Sequence, residues 1–481
     1  MLGIFSWRQL HGKDDHRVSI TAASLRGEVR NRTRDYLQLA VISTVMIWTG
    51  LSLFFGGVYR RSALANNINV YVVDLDGGAV GANVTRMVLD TAVTPSTPVW
   101  LQNHDLNSVD AVKAWVQHSG WGALVVNPGA SARLESALAG ADHYDASAAM
   151  TLIESTGRQV VAEMLYVSSA LTTTAQTVAR QYAQIQVANF QATDDPAQQQ
   201  PNYAALINPV GFATVDVAPA GFTMSPIMST FGYLAILLPI IGVLIMWKMT
   251  SFPFFARVRF CDLALMWPVL LLGLALVLSF YQALAFLAFR GPNFNSQALT
   301  YTTATFFKFW FTGTAVAFSL GLWLFNWFLH LTPHTMALPS ICTVIPNVLS
   351  TISTFELAPK FYRVLYAMPF YNGSSLILYI LTGAHPTIGR NVGVLVAEIV
   401  AMTALLTLSI WIRQICVLRG ISDAHGWFHG SRYYHSHIPY YKDVRADAEH
   451  HAESLPPRRA GVEIVDYDDD GVSLTTGNLG V

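Results

Sequence analysis

Tyr36–Val58 reads YLQLAVISTVMIWTGLSLFFGGV, an apolar run with no ionised side chain, and it follows Arg26, Arg30, Arg32 and Arg34. Wound as a helix, about 20 such residues cross the roughly 30 Å hydrocarbon core of a bilayer. The charged leader is too long for a signal peptide, so the run reads as an uncleaved signal anchor with residues 1–35 in the cytoplasm. The pattern returns at Pro226–Trp247, Leu263–Phe289, Phe306–His330, Met336–Ile352 and Val392–Val417. The expectation is a multi-pass α-helical membrane protein of six spans, the first at 36–58 and five more over 226–418, with both termini cytoplasmic. Lys248, Arg257, Arg259, Arg413 and Arg419 agree with a positive inner side, while Arg60, Arg61 and Arg290 fall outside. A further apolar piece, Phe361–Leu381, is interrupted by Pro369, Asn372, Gly373 and Ser374. It reads as a re-entrant hairpin near 356–381, because broken helices are tolerated at membrane depth where protein covers them. The alternative is a seventh span, which puts the C-terminus outside.

Composition points the same way. Of 481 residues, 52% are hydrophobic and 12% charged, against roughly 25% charged in soluble domains. Too few ionised side chains remain to cover a cytosolic globule. Lys+Arg 29 against Asp+Glu 30 leaves no basic excess, so nucleic acid is not an expected partner. Cys261, Cys342 and Cys416 lie in or beside apolar runs and build no disulfide framework.

Residues 59–225 have the composition of a globular domain, expected on the extracytoplasmic side. Ile68–Asp74 reads as a strand, followed by a turn at Asp76, Gly77 and Gly78 and a helix through Asp90. Pro98–Gln102 and Trp121–Val126 read as further strands, with a helix at Asn107–His118 between them, so a small α/β sheet is expected. Thr151–Phe190 reads as one long helix. Its stripe of Val161, Met164, Ser168, Leu171, Ala175, Val178, Tyr182 and Ile185 suits packing along the sheet or against a second copy. Asn83-Val84-Thr85 is a sequon, which makes Asn83 a candidate for N-glycosylation.

Catalytic signatures are missing from the sequence. Gly12-Lys13 is followed by Asp14, so the Gly-rich phosphate loop ending in Lys-Ser/Thr is absent, as are Gly-x-Ser-x-Gly, His-Glu-x-x-His and paired Cys-x-x-Cys. No catalytic, cofactor-binding or metal-ligating residue is expected. Asp74 and Asp76 read as a strand-ending turn in preference to a calcium loop. The candidates lie in the spans, where ionisable and polar groups are costly: Glu398 as a proton carrier, Asn326 and Asn347 as interhelical hydrogen-bonders, and Lys308 at the start of its span. After Arg419, His425, His429, His435 and His437 among aromatics fit a segment on the bilayer surface, and Asp466–Asp470 an acidic tail within 419–481.

WTGLSLFFGGVYRR at Trp48–Arg61, VVDLDGG at Val72–Gly78, WGALVVNP at Trp121–Pro128 and ELAPKFYRVLYAMPFYN at Glu356–Asn372 occur in that order. Together they resemble the fungal nitrosoguanidine-resistance membrane protein family, over about Leu37–Val417. The layout is also similar to type-two ABC exporter permeases and bacterial phage-infection membrane proteins. The resemblance implies a plasma-membrane protein tied to tolerance of toxic compounds and to phospholipid distribution between leaflets, acting on a small amphipathic substrate or lipid. A homodimer and a separate ATPase subunit are the partners this layout implies besides the bilayer. The competing expectation is a non-transporting scaffold or sensor whose external domain binds a partner.

Overall fold

The computed structural model describes residues 26–92, 94–140, 143–191, 202–220, 225–250, 258–289, 302–331, 336–352 and 354–418. The expectations for 1–25 and for the tail from Arg419 lie outside these residues. The first helix, α1 (Arg26–Val58), already begins in the arginine-bearing flank, ahead of the expected boundary at Tyr36.

Beyond α1 the chain builds a five-stranded sheet in the order β2-β1-β3-β4-β5. The strands are β1 (Asn69–Asp74), β2 (Val99–Gln102), β3 (Gly122–Val126), β4 (Met150–Glu154) and β5 (Phe212–Asp216). β1 lies parallel to β2 and β3, β4 lies parallel to β5, and β3 and β4 are antiparallel. Crossover helices α2 (Ala79–Leu89) and α3 (Val109–His118) fall on opposite faces. Val80, Val84 and Val88, one turn apart, pack over Val70, Val72 and Leu124. Val112 and Val116 pack over Val73, Ala123 and Val125. β1 and β3 thus bury alternate side chains under different helices, which is why β3 is buried along its whole length.

The expected helix over Thr151–Phe190 needs correction. Its first residues belong to β4, where Leu152 and Ile153 are buried on opposite faces of the sheet, a period-two pattern that a helix cannot use. Helix begins only at Val160–Ala162, passes through a π-helical turn at Glu163–Ser168 and, after the short helix α4 (Ala130–Leu138) earlier in the chain, continues as α5 (Ser169–Gln191). Leu171, Ala175, Val178 and Tyr182 are buried against the protein's own sheet, while Val161, Met164 and Ile185 are exposed. The stripe therefore covers the sheet. The approach to the second apolar run contains β5.

The later apolar runs are all helical: α6 (Ser225–Thr250), α7 (Phe260–Phe289), α8 (Thr303–His330), α9 (Ala337–Ile352) and, after α10 (Pro369–Thr382), α11 (Ile388–Leu418). Among the described residues four helical stretches are long and apolar enough to cross a membrane: Val29–Val58, Phe260–Ala288, Thr303–His330 and Ile388–Ile415. Lys360–Ala367 and α10, bent by 75°, make a fifth if they form one broken span, and Gly232–Trp247 and Ala337–Ile352 are shorter. The chain is a membrane protein by this measure. α8 is the hub, with 72% of its apolar window buried against 28% for α7 and 22% for α11. Its small residues Gly313, Thr314, Ala317, Ser319 and Gly321 let neighbours approach closely.

Glycines also seat α1 and the bent pair. Gly50 of α1 faces Ile345 of α9, and a Cβ on Gly57 would lie 2.9 Å from Leu349. Tyr362 Oη donates to the Leu53 carbonyl at 3.0 Å. Beyond these contacts α1 exposes Tyr36, Val41, Val45, Trp48 and Phe55, a surface suited to lipid. The bent pair meets the sheet domain at both ends: Asn67 Nδ2 donates to the Glu356 carbonyl at 2.9 Å, and the His385 amide donates to the Gln117 carbonyl at 2.8 Å. Its middle lies in the bundle, where the Phe370 amide donates to Asn347 Oδ1 at 3.1 Å. A Cβ on Gly373 would overlap Val316 and lie 2.6 Å from Tyr233 Oη. Gly373→Val should therefore cost about 1–3 kcal/mol by overpacking and lower the thermal midpoint of the purified protein. Gly393→Ala in α11, where a Cβ meets nothing within 4 Å, should not lower it, since Ala is the better helix former.

Candidate functional site

Where the sheet domain meets the bundle lies a cavity of about 270 Å³. The sheet side contributes Trp121, from the start of β3, and Arg158 and Gln159, from the turn after β4. The bundle contributes Ser350 and Thr351 at the end of α9, Glu356 and Tyr366 before the bend, and Tyr371, His385 and Arg390 after it. Arg158 is set by the tight turn 155–158, in which its amide donates to the Ser155 carbonyl at 3.1 Å. One guanidinium nitrogen donates to the carbonyls of Ser119 and Gly120 at 2.5 and 2.6 Å, and the group stacks 4.2 Å over the Trp121 ring. Burial pulls its pKa down, with Glu356 and Glu163 opposing the shift. A guanidinium stays charged through such a change.

His385 follows α10 with a positive φ of 47°, and its Nδ1 is buried without a hydrogen-bond partner among the described residues. Burial, reinforced by the charge of Arg158, pushes its pKa down to about 4, so the ring is neutral at physiological pH. Arg390 donates to Tyr371 Oη at 3.4 Å and lies 5.6 Å from the centre of the Tyr366 ring.

Behind Arg158 stand three carboxyl groups. Asp216 accepts from Thr156 Oγ1 at 2.5 Å and from the Ala218 amide at 3.0 Å, and Glu154 accepts from Ser168 Oγ. Glu163, in the π-helical turn, is fully buried and neither of its oxygens finds a hydrogen-bond partner among the described residues. Burial first, then the charges of Glu154 and Asp216, push its pKa well above the usual carboxylate range, with Arg158 opposing. Burial and the two neighbouring carboxylates thus favour the protonated form of Glu163.

The four residues picked from the spans do not form one site. Glu398 and Asn326 share the α8–α11 seam: Ser319 Oγ donates to Glu398 at 3.3 Å, while Asn326 Nδ2 donates to the Met402 carbonyl at 3.2 Å and its Oδ1 accepts from Ser409 at 3.1 Å. Asn347 lies at a different contact, tying α9 to the start of α10. Lys308 is exposed at the start of α8. Asn83 is half-buried within α2, beside Arg86 at 3.0 Å and Tyr182, and the Thr85 hydroxyl of its sequon is buried.

In the sheet domain the carboxyl ends of β1 and β3, where strand order reverses, are the usual place for a ligand in such sheets. Here Asp76 fills it, accepting from Ser131 Oγ at 2.5 Å, the Ser131 amide at 3.0 Å and the Gly81 amide at 3.3 Å, at the N-terminal turns of α4 and α2. Burial alone would raise its pKa, but these bonds outweigh it and hold the carboxyl below the ordinary value. Asp74 Oδ1 accepts from the Asp76 and Gly77 amides at 2.9 and 3.0 Å, the strand-ending turn. Among the described residues no three His, Cys, Asp or Glu side chains are placed to hold a metal ion. Arg158, Glu163 and His385 carry no sequence signal, since each gains its environment from a neighbour remote in the chain. Glu356, Tyr366 and Tyr371 lie within the long motif at Glu356–Asn372.

Glu163 makes a pH prediction. The folded state keeps a proton that the unfolded glutamate gives up above about 4.5, so stability falls as pH rises from that value, by up to about 1.4 kcal/mol per pH unit for one proton. Glu163→Gln should remove that slope and make the protein more stable than the parent at pH 8, with little difference at pH 4, as read by denaturant or thermal unfolding. His385 acts in the opposite direction, with stability lost as pH falls from 6.5 towards about 4.

No curated protein and no solved structure matches the chain. Residues 39–404, running from within α1 through the sheet domain and most of α11, match the model of a family described as a protein of unknown function, DUF3533, and the chain belongs to that family.

Proposed function

We propose that the chain is the permease-like part of an exporter at the plasma membrane, moving an amphipathic compound or a lipid and so protecting a fungal cell from toxic compounds. In this reading it has six spans and a re-entrant hairpin, with the sheet domain outside and both termini in the cytoplasm. The resemblance to the fungal nitrosoguanidine-resistance family supplies the setting. The observation that carries transport is the Glu398 carboxyl, lodged between α8 and α11 with Ser319 as its hydrogen-bond donor at 3.3 Å and no cation within 4.0 Å among the described residues. An acidic group in hydrocarbon costs on the order of 2.5–3.5 kcal/mol by insertion scales, and Gln would make the same helix contact without a charge. A group that binds and releases a proton there gives a carrier its coupling ion.

Six spans are favoured because both ends of the bent pair touch the sheet domain, through Glu356 and His385. A broken span would have its ends on opposite sides of the bilayer. α9 has 16 residues, roughly 24 Å of helix, and crosses only where the bilayer thins or its ends snorkel. The scaffold or sensor reading loses its main support, because the α5 stripe is spent on the protein's own sheet.

Glu398→Gln should abolish compound resistance in a deletion strain while expression and surface delivery stay normal. Full resistance in that variant would return Glu398 to a packing role and move the energy source to a separate ATPase subunit, detectable by co-purification. A C-terminal tag should resist protease on intact cells, and a cleaved tag would require the seventh span.

A further inference from the structure

Two guanidinium groups face one cavity with no acid bound to either. Arg158 commits one nitrogen to the Ser119 and Gly120 carbonyls, and Arg390 reaches only the Tyr371 hydroxyl and the Tyr366 ring. Among the described residues no carboxylate lies within 4.0 Å of either. Both line the cavity together with His385. Glu356 is the one acidic side chain in the lining, and His385 is neutral, so the walls carry a net charge of about +1 from two arginines and one carboxylate. The planar guanidinium fork pairs bidentately with carboxylate and phosphate oxygens, and the hydroxyls of Thr354, Ser375 and Tyr371 add neutral donors.

The geometry points to a binding site for a phosphodiester anion in this cavity, held by Arg158 and Arg390. A phosphodiester carries one negative charge and so balances the wall, whereas a phosphate monoester would overfill it. The volume of about 270 Å³ holds a phosphate with its polar substituents, but not two acyl chains, which would have to leave past Phe355 and Leu378 towards the bilayer. The same chemistry is offered by a phospholipid head group and by a soluble glycerophosphodiester. This site rests on the membrane reading of the bundle, not on transport.

The test uses the full chain purified in a neutral glucoside detergent. Phosphatidylglycerol binding is read by native mass spectrometry, with diacylglycerol as the phosphate-free control, and glycerophosphoglycerol is titrated calorimetrically. Wild type should bind phosphatidylglycerol and not diacylglycerol, and Arg390→Gln should bind it about tenfold more weakly. Arg158→Lys, which keeps the charge but not the fork, should be intermediate. Arg158→Gln also removes the Ser119 and Gly120 bonds, so Arg390→Gln, with an exposed side chain, carries the test if that variant does not fold. Binding of the lipid alone identifies a membrane head group, and calorimetric binding of glycerophosphoglycerol identifies a soluble ligand. Equal retention of diacylglycerol, unaltered binding by Arg390→Gln, or binding of neither phosphodiester overturns the proposal. A Glu398→Gln protein that binds the lipid normally but confers full resistance would remove the proton-carrier reading and leave this site standing.

Discussion

The segment from Phe355 to His385 is wedged between two bodies that fold by different rules, and that wedge is the constraint on which the rest depends. The sheet domain is closed by alternate burial on two faces. The bundle is held by close backbone approach and buried polar bonds. The bent pair must satisfy both, so its ends hydrogen-bond to Asn67 and Gln117 while its middle accommodates Tyr233 and Val316 at Gly373. Its backbone is hydrogen-bonded by Asn347 and Asn372 at the bend, where Asn372 Nδ2 donates to the Tyr366 and Met368 carbonyls at 2.9 and 3.0 Å. Unpaired peptide groups in a bundle of this kind are expensive, and these asparagines explain why the break is tolerated.

That arrangement also decides where chemistry can occur. At the carboxyl ends of β1 and β3 the protein has used its own Asp76 to occupy the helix N-termini, so the sheet is internally satisfied there. Polar groups without a partner among the described residues do occur at the junction, namely the buried Nδ1 of His385 and the carboxyl of Glu163. Asn326 uses both ends of its amide between α8 and α11, which makes it a fastener, while Glu398 two turns away along the same seam has a single hydroxyl donor.

Apolar periodicity made much of this legible. The helices α6, α7, α8, α9 and α11 follow the apolar runs within a few residues, and α1 extends its run N-terminally into the arginine-bearing flank, because a run long enough to cross a bilayer has few other ways to satisfy its backbone. Strands β1 to β3 and helices α2 and α3 were equally readable from the turn residues between them. β4 was not, since MTLIE beside a long striped helix fits either period, and only pairing with β3 and β5 selects the strand. The stripe on α5 showed that one face would be buried, but not by what.

Residue identity by itself therefore determined that this is a membrane-embedded chain with an α/β insertion, and that Glu398, Asn326 and Asn347 would be costly where they lie. Only the tertiary structure decided that Asn326 and Asn347 serve separate helix contacts, that both ends of the bent pair return to the sheet domain, and that Arg158 and Arg390 face one cavity. The physical reason is range. Periodicity and transfer free energy act over neighbouring residues and can be read along the chain. A guanidinium at position 158 and another at 390 acquire a shared ligand environment only when two separately packed bodies close on the segment between them.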